Sequence, residues 1–248
     1  MSEIEIIYED DNLLVLNKPA GITVNRSDTT RNEQTVQDWV EEKIKNQKLK
    51  TKNVDQESDF YKRAGIVHRL DKETSGILLV AKDEDSFINL QNQFKERVVK
   101  KTYLALAHGK IKLKEGEIKA TVGRLPWNRK RFGVLSGGRE SVTKYKVLKY
   151  LVLAKNKNDF FSLVELYPET GRTHQIRVHL KYINHPIFAD SLYAGRKTAR
   201  DDRTRLERVF LHACKIEFTH PKNGKHLAFE SPLPPELESF LTENLSEG

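Results

Sequence analysis

Residues 68–76, HRLDKETSG, separate two short apolar runs, AGIV and ILLVAK. Apolar runs of this length are typical of buried strands. Polar residues placed between buried strands lose their hydration, which costs free energy unless they are paired or used in a site. Asp71 is therefore the first candidate for chemistry, because a buried carboxylate needs a nearby cation to stay ionised.

Strand signals continue on both sides of this segment. GIVHRL and GILLVAK are predicted to be strands joined by the LDKETSG turn, and IEIIYE, NLLVLNK and TYLALAH are predicted strands as well. Further strand-like runs are EGEIKATVG, SVTKYKVLKYLVLA, DFFSLVELYP and FLHACKIEFT. Residues 45–62 are polar and aperiodic, which predicts a surface loop.

Helix signals lie between the strands. An amphipathic helix is predicted over residues 35–44, Asp83 is predicted to cap the next helix, and Thr173 the one over HQIRVHLKYI. Proline at the start of PPELESFLTENL indicates a terminal helix. Many hairpin-connected strands with a few helices predict an α+β fold with a mixed, mostly antiparallel sheet. We expect a single domain over residues 1–248.

The composition narrows the class of protein. The net charge of the 248 residues is +8, but residues 1–40 carry −5, which leaves +13 on the remainder. A basic body of this kind suits RNA or DNA, although a solvated lysine-rich surface gives the same count. A single cysteine, Cys214, excludes a disulfide framework. The short apolar runs and the acidic N-terminus favour a cytoplasmic protein without a membrane span.

Two further residues are candidates for a site with Asp71. Arg177, in TGRTHQIRVHL, lies about 100° around its helix from Ile176, at the rim of the buried face. From there a guanidinium reaches a carboxylate and holds it ionised, but a purely structural ion pair fits the spacing equally well. Tyr103 begins a strand after basic residues, where it either packs at the core's rim or stacks on a nucleobase.

The histidines and the basic residues supply the remaining candidates. Three histidines, His68, His174 and His179, lack the spacing of a metal site, and no metal is expected. Basic clusters lie at 95–101, 124–131 and 196–208. The second mixes an aromatic residue with cations, which favours looped or single-stranded RNA. Its residues are Arg124, Trp127, Arg129, Lys130 and Arg131. The third also contains acidic residues, so it fits either RNA binding or a solvated helix face.

Five segments follow one another from about residue 6 to 235. They are LLVLNKPAGITV, HRLDKETSGILLVAK, KKTYLAL, TGRTHQIRVHL with HPIFADSLYAG, and LHACKIEFTHP. In this order they resemble the motifs of the RluA-type pseudouridine synthases. The resemblance covers nearly the whole chain and is far more specific than a lone HRLD.

The resemblance implies an isomerase that converts uridine to pseudouridine in RNA without a cofactor or a metal. It places Asp71 as the catalytic aspartate, Tyr103 as the tyrosine packed on the target base, and Arg177 as the arginine paired with the aspartate. Arg69 corresponds to an arginine that fills the gap left by the flipped uridine. Other residues expected to contact RNA are His68, Arg172 and His174. Large-subunit ribosomal RNA is favoured over tRNA, and a monomer is expected.

Some features depart from the family pattern. Asn184 and Ala189 stand where the family often has glycine, so a small loop change is expected there, away from Asp71. The first motif begins close to the N-terminus, so no separate N-terminal RNA-binding domain is expected.

Two other functions compete with the isomerase. The first is a non-catalytic RNA-binding or ribosome-assembly factor on the same scaffold. The second is a glycoside hydrolase, which usually needs two carboxylates at one site, whereas the signature supplies only Asp71.

Overall fold

A computed structural model of the chain describes residues 4–27, 30, 33–45, 57–154 and 156–248. The chain divides into two compact units. The first comprises Met1–Lys100 with Lys215–Ser231, and the second comprises Lys101–Cys214 with Pro232–Gly248. Helices and mostly antiparallel strands make up the fold, which confirms the predicted α+β class. The single-domain boundary stays a prediction.

The first unit contains a small antiparallel sheet. Its strands lie in the order β1 (Glu5–Glu9), β2 (Leu13–Lys18) and β3 (Ser75–Ala81). All side chains of β3 are buried, so both faces of this strand are covered. The chain later adds an antiparallel hairpin in which Lys215–Thr219 of β9 (Leu211–Thr219) pairs with β10 (His226–Glu230).

Within the described residues, the first unit has three helices. They are α1 (Val36–Lys45), α2 (Asp59–Lys62) and α3 (Glu84–Lys95). The helix predicted over 35–44 is confirmed, and so is the cap of α3, because the Asp83 carboxylate accepts the Ser86 N–H. The loop predicted over 45–62 is wrong at its end, where α2 lies. Residues 46–56 of that loop lie outside the described residues.

The strand predicted over GIVHRL is not a regular strand. Ile66 forms an isolated bridge with Val80, and the Val67 N–H reaches the Leu79 carbonyl at 3.4 Å. The imidazole of His68, instead of a backbone carbonyl, accepts the Leu79 N–H at 3.0 Å. A side chain therefore takes the place of the next backbone partner, and the ladder ends at this point.

The second unit contains the larger antiparallel sheet. Its strands lie in the order β4, β8, β7, β5 and β6, and β11 pairs with β7. Their bounds are β4 Lys100–His108, β5 Glu115–Leu125, β6 Asn128–Val134, β7 Arg139–Leu153, β8 Asn156–Pro168 and β11 Leu245–Glu247. The strands predicted over TYLALAH, EGEIKATVG, SVTKYKVLKYLVLA and DFFSLVELYP are thus confirmed.

Three helices of the second unit lie in the part of the chain that the structure describes. They are α4 (Gln175–Tyr182), α5 (Arg196–Arg203) and α6 (Pro235–Asn244). The terminal helix with proline at its start is confirmed. Thr173 is not the cap of α4, because the N-cap is His174, which has a left-handed φ of 56° and makes no side-chain capping bond. In the described part of the chain, no helix has the length and apolar composition needed to span a bilayer.

Candidate functional site

Asp71 lies in the loop that leads into β3. Its backbone carbonyl accepts the Thr74 N–H at 3.1 Å, which closes a turn over residues 71–74. Asp71 is partly buried, whereas Arg69 is exposed. Gly76 has a φ of 114°, which a residue with a side chain rarely adopts. The glycine that ends HRLDKETSG is therefore required by the backbone.

A buried lysine fastens this loop. Lys18, at the end of β2, is 0% exposed. Its Nζ donates to the carbonyls of Pro19, Ile22 and Lys72 at 2.8, 2.8 and 3.2 Å. The Lys72 carbonyl, adjacent to Asp71, also accepts the Gly21 N–H at 2.8 Å. The Asn-Lys-Pro segment of the sequence thus holds the Asp71 loop in place.

Lys18→Met is expected to lower the free energy of unfolding by about 2 kcal/mol. The variant keeps the length of the side chain but removes the donor from three carbonyls, and relief from burying an ammonium offsets part of the loss. Urea unfolding measures the change. Lys72→Met, at a half-exposed position of the same loop, is the control and should stay within about 0.5 kcal/mol of the wild type. An equally small change for Lys18→Met would contradict the role of this lysine.

His68 makes contacts with other residues of the first unit. Its Nε2 accepts the Leu79 N–H, and its ring stacks on Phe94 with centroids 4.8 Å apart. A nitrogen that accepts a hydrogen bond is unprotonated, so the ring is neutral in this arrangement. The RNA contact expected of His68 stays a prediction.

Arg177 forms a bidentate ion pair within the second unit. Its Nε and Nη2 donate to Oδ2 and Oδ1 of Asp190 at 2.8 and 2.9 Å, and both side chains are buried. Oδ1 also accepts the N–H groups of Leu192 and Tyr193 at 3.0 and 3.1 Å. This geometry fixes the plane of the guanidinium. Asp190 was not predicted from the sequence, because an irregular segment brings it back to α4.

Tyr193 supports the same arginine. The guanidinium carbon of Arg177 lies 5.1 Å from the centroid of the Tyr193 ring. The Tyr193 hydroxyl accepts the Phe132 N–H at 2.9 Å and lies 2.8 Å from Nδ1 of His174. The hydroxyl and Nδ1 of His174 share one hydrogen bond, whose direction depends on the tautomer of the imidazole. His174, predicted to contact RNA, is therefore tied to the support of Arg177.

Gln175 joins the start of α4 to β7. Its Oε1 accepts hydrogen bonds from Thr170 Oγ1 at 2.7 Å and from the Arg172 N–H at 3.0 Å. Its Nε2 donates to the Val142 carbonyl and to Thr143 Oγ1, both at 3.0 Å. The polar residues of TGRTHQ thus fix the helix that carries the site arginine.

His179 continues this network. Ser141 Oγ donates to the Ala120 carbonyl at 2.6 Å, so it accepts from Nε2 of His179 at 2.8 Å. Nδ1 of His179 is therefore the acceptor for Thr143 Oγ1 at 2.9 Å. Burial lowers the pKa of His179 to about 4, which favours this neutral form.

His179 is expected to make stability depend on pH between 6.5 and about 4. In this window the unfolded chain binds more protons than the folded protein. Stability present above pH 6.5 is therefore lost as the pH falls, by at most about 1.4 kcal/mol per pH unit. Urea unfolding of the wild type and of His179→Gln at pH 7 and pH 5 measures this. The stability difference between the two proteins should narrow at pH 5, and an unchanged difference would contradict the assignment.

Tyr103 and Lys101 share one face of β4, because they are two residues apart on a strand. Tyr103 lies opposite Leu166 of β8 and packs at the edge of the unit's core. Burial lowers the pKa of Lys101 to about 8. Lys101 was not predicted as a site residue, since nothing in the sequence distinguishes it from Lys100.

The residues predicted to contact RNA around β5 and β6 lie together. Arg124, Trp127, Arg129 and Lys130 are exposed, and Arg131 is partly buried. Arg172 is partly buried, with its Nε 3.4 Å from the Glu140 carbonyl. All of them belong to the second unit, as do Tyr103, His174 and Arg177, whereas Asp71, Arg69 and His68 belong to the first. The expected pairing of Arg177 with Asp71 stays a prediction.

Asn184 and Ala189 both have left-handed backbones, with φ of 66° and 58°. This conformation costs a residue with a side chain about 1 kcal/mol. The Ala189 N–H donates to the carboxylate of Asp202 at 2.9 Å, and its carbonyl accepts from Nε of Arg203 at 2.7 Å. These contacts hold the alanine in place, so two residues of the third basic cluster have structural partners.

Comparison with known proteins gives consistent matches. A family model described as RNA pseudouridylate synthase matches residues 12–182. Ribosomal large subunit pseudouridine synthase D of Nitrosomonas europaea is 39% identical over 243 residues, which are 96% of this chain and 64% of that protein. An RNA pseudouridine synthase of Bacillus subtilis is 36% identical, over 98% of this chain and 73% of that protein. The chain spans 60–64% of the length of the first curated relatives it matches.

Solved structures are similar over the same extent. Human RNA Pseudouridylate Synthase Domain Containing 1 has a TM-score of 0.70 and 28% identity, covering 96% of this chain and 87% of that chain. Human RNA Pseudouridylate Synthase Domain Containing 4 has a TM-score of 0.69 and 23% identity, covering 96% of this chain and 91% of that chain. At 23% identity, the similarity to Domain Containing 4 shows a shared fold alone.

Proposed function

Because the chain belongs to the RNA pseudouridylate synthases of the RluA type, we propose that it isomerises uridine to pseudouridine in RNA. In this reaction the bond between ribose C1′ and uracil N1 breaks, and the base turns. A new bond joins C1′ to C5, C5 loses its proton, and N1 ends with one. Substrate and product have the same composition, so the reaction requires neither an oxidant nor a reductant.

The observation that carries this proposal is the seating of Asp71. Its loop is fixed through the Lys72 carbonyl, by Lys18 and by the Gly21 N–H. Neither of these two contacts uses the Asp71 carboxylate, so the loop keeps its shape while the carboxylate reacts. A carboxylate held in this way suits covalent catalysis or proton abstraction beside a departing uracil.

Three other residues have proposed roles in the reaction. Arg177 orients the catalytic carboxylate and keeps it ionised, and its own orientation is set by Asp190. Tyr103 packs on the target uracil and receives the C5 proton. Arg69, which is exposed beside Asp71, fills the space that the uridine leaves in the RNA.

A set of mostly basic residues is proposed to bind the RNA. Extruding a uridine from its stack costs a few kcal/mol, which contacts elsewhere on the RNA offset. Lysine and arginine neutralise phosphates, which produces strong dependence of binding on salt. The residues proposed for this grip are His68, Arg124, Trp127, Arg129, Lys130, Arg131, Arg172 and His174.

Large-subunit ribosomal RNA is the substrate we favour, with tRNA as the second candidate. The first three curated relatives are named ribosomal large subunit pseudouridine synthase D. The segment VGRLPWNRKR resembles the branch of the family that acts on this RNA. We further propose that residues 1–248 act as one catalytic domain, as a cytoplasmic monomer without a cofactor.

A non-catalytic RNA-binding or ribosome-assembly factor is the competing function. Such a factor needs the basic surface but not the combination of Asp71, Tyr103 and Arg177. It predicts salt-dependent RNA affinity without product on any RNA.

The experiment that tests the proposal maps pseudouridine directly. Purified protein is incubated with unmodified ribosomal RNA and tRNA transcripts, and carbodiimide-dependent stops of reverse transcription locate the product. New stops are the expected result, and the RNA that carries them identifies the substrate. Assembly intermediates of the large subunit are included. Absence of product on all of these RNAs, with RNA binding retained, would favour the assembly factor.

A further inference from the structure

An exposed tryptophan lies at the tip of the β5–β6 hairpin. Leu125 pairs with Asn128, so Pro126 and Trp127 form a two-residue turn. Trp127 is 80% exposed. Proline fixes one backbone angle of this turn, which restricts the tip before any ligand arrives. The hairpin thus presents an indole ring to solvent on a restrained backbone.

Two exposed cationic residues follow this turn in sequence, and a third cation braces the hairpin. Arg129 and Lys130 follow the turn and are exposed. Nη1 of Arg124 donates to the Arg129 carbonyl at 2.8 Å, and its guanidinium lies 5.0 Å from the centroid of the Phe132 ring. Arg124 therefore ties the two strands together, while Arg129 and Lys130 face solvent beside Trp127.

The hairpin rests on the elements that carry Arg177. Val122 of β5 packs with Val178 of α4 and with Tyr193 in one apolar cluster. The N–H of Phe132 in β6 donates to the Tyr193 hydroxyl at 2.9 Å. The same Tyr193 ring lies against the Arg177 guanidinium. One tyrosine therefore contacts both the backbone of the hairpin and the arginine.

We propose that the β5–β6 hairpin docks an unpaired RNA base on Trp127, and that Tyr193 links this docking to the orientation of Arg177. The proposal rests on the proposed function for the identity of the substrate.

The chemistry of the tip favours an unpaired base over other occupants. An indole stacks on any base whose face is open, and a duplex hides those faces. Arg129 and Lys130 lie within reach of the phosphates that flank such a base. An acidic peptide would satisfy the cations but would leave the indole without a planar partner.

Fluorescence of Trp127 tests the docking. The chain has two tryptophans, so Trp39→Phe leaves Trp127 as the single reporter. A 12-nucleotide single-stranded RNA should quench its emission, and the matched duplex should quench it less. In binding measurements Trp127→Ala should weaken single-strand affinity by about tenfold, and Trp127→Phe should retain it within about threefold. Tyr182→Ala, which removes an exposed aromatic residue from α4, is the control with unchanged affinity.

Three results would overturn the docking. They are an unquenched Trp127 at saturating RNA, equal quenching by the duplex, and equal affinities of Trp127→Ala and the wild type. Quenching by an acidic peptide in place of RNA would assign the hairpin to a protein partner.

Tyr193→Phe tests the link to Arg177. The variant keeps the ring against Arg177 but loses the hydroxyl that contacts Phe132 and His174. We expect RNA affinity within about twofold of the wild type and a single-turnover rate at saturating RNA about tenfold lower. Trp127→Ala should also lower this rate, and the two losses should not add in the double variant. Additive losses, as distant independent sites show, would overturn the link.

Failure of this inference is distinguishable from failure of the proposed function. Product formation by a protein whose Trp127 does not respond to RNA would remove the inference and leave the isomerase. Quenching by single-stranded RNA without product from any RNA would support the docking and remove the isomerase.

Discussion

Asp71→Asn is expected to lower pseudouridine formation by about 10⁴-fold or more. Asparagine has nearly the same shape, but its neutral amide neither attacks an electrophilic carbon nor accepts a proton as a carboxylate does. The fold should survive, because the turn over 71–74 uses the backbone carbonyl of Asp71, and Lys18 holds the loop at Lys72. The measurement is the rate of appearance of carbodiimide-dependent stops on the substrate RNA, with thermal unfolding in parallel.

Asp11→Asn is the matched control for this result. It makes the same chemical change at an exposed carboxylate of the first unit, and its activity should equal that of the wild type. RNA affinity of Asp71→Asn should also be unchanged, because grip comes from cations elsewhere. Product formation by Asp71→Asn at the wild-type rate would assign the chemistry to another residue and sink the proposed role.

Asp190→Ala is expected to lower the free energy of unfolding by about 3–5 kcal/mol. The carboxylate is fully buried and receives two hydrogen bonds from Arg177 and two from backbone N–H groups. Its removal leaves a buried guanidinium without its bidentate anion. The free-energy cost of that unpaired buried charge exceeds the net stabilisation that the intact ion pair provides. Urea unfolding measures the loss, and the slope with denaturant shows whether the unfolded state has changed.

Two comparisons separate the contribution of the ion pair to this stability loss from the contribution of lost packing. Glu115→Ala removes an exposed carboxylate that pairs with the exposed Lys146, and it should cost less than about 1 kcal/mol. Joint replacement of Arg177 by Met and Asp190 by Leu should recover part of the stability but not the activity. A loss below about 1 kcal/mol for Asp190→Ala itself would contradict the importance of this pair.

Strands and helix caps that depend on the local pattern of apolar and polar residues were predictable from the sequence. The apolar run ILLVAK became β3, because a fully buried strand needs apolar side chains on both faces. Asp83 became a cap, because an aspartate directly before a helix accepts the first free N–H groups. The order of the motifs predicted the family, which the matched family model confirms.

The long-range partners were not predictable. Thr173 has the chemistry of a cap, but Gln175 accepts the nearby donors and shifts the helix start past a left-handed His174. Asp190 pairs with Arg177 through tertiary structure, which no helical or strand period encodes. The burial that lowers the pKa of Lys101 depends equally on residues remote in sequence.

The hydrogen bonds that fix α4 have a direction. They run from Gln175 to Thr143, from Thr143 to His179, from His179 to Ser141, and from Ser141 to the Ala120 carbonyl. Each hydroxyl donates its single hydrogen to the next residue of this series of hydrogen bonds. Sliding the helix by one residue would therefore break the hydrogen bonds that Gln175 and His179 make in the series. The segment TGRTHQIRVHL is consequently not expected to keep this structure when it is transferred alone to another protein. An engineer who grafts it onto another sheet must transfer Ser141 and Thr143 with it.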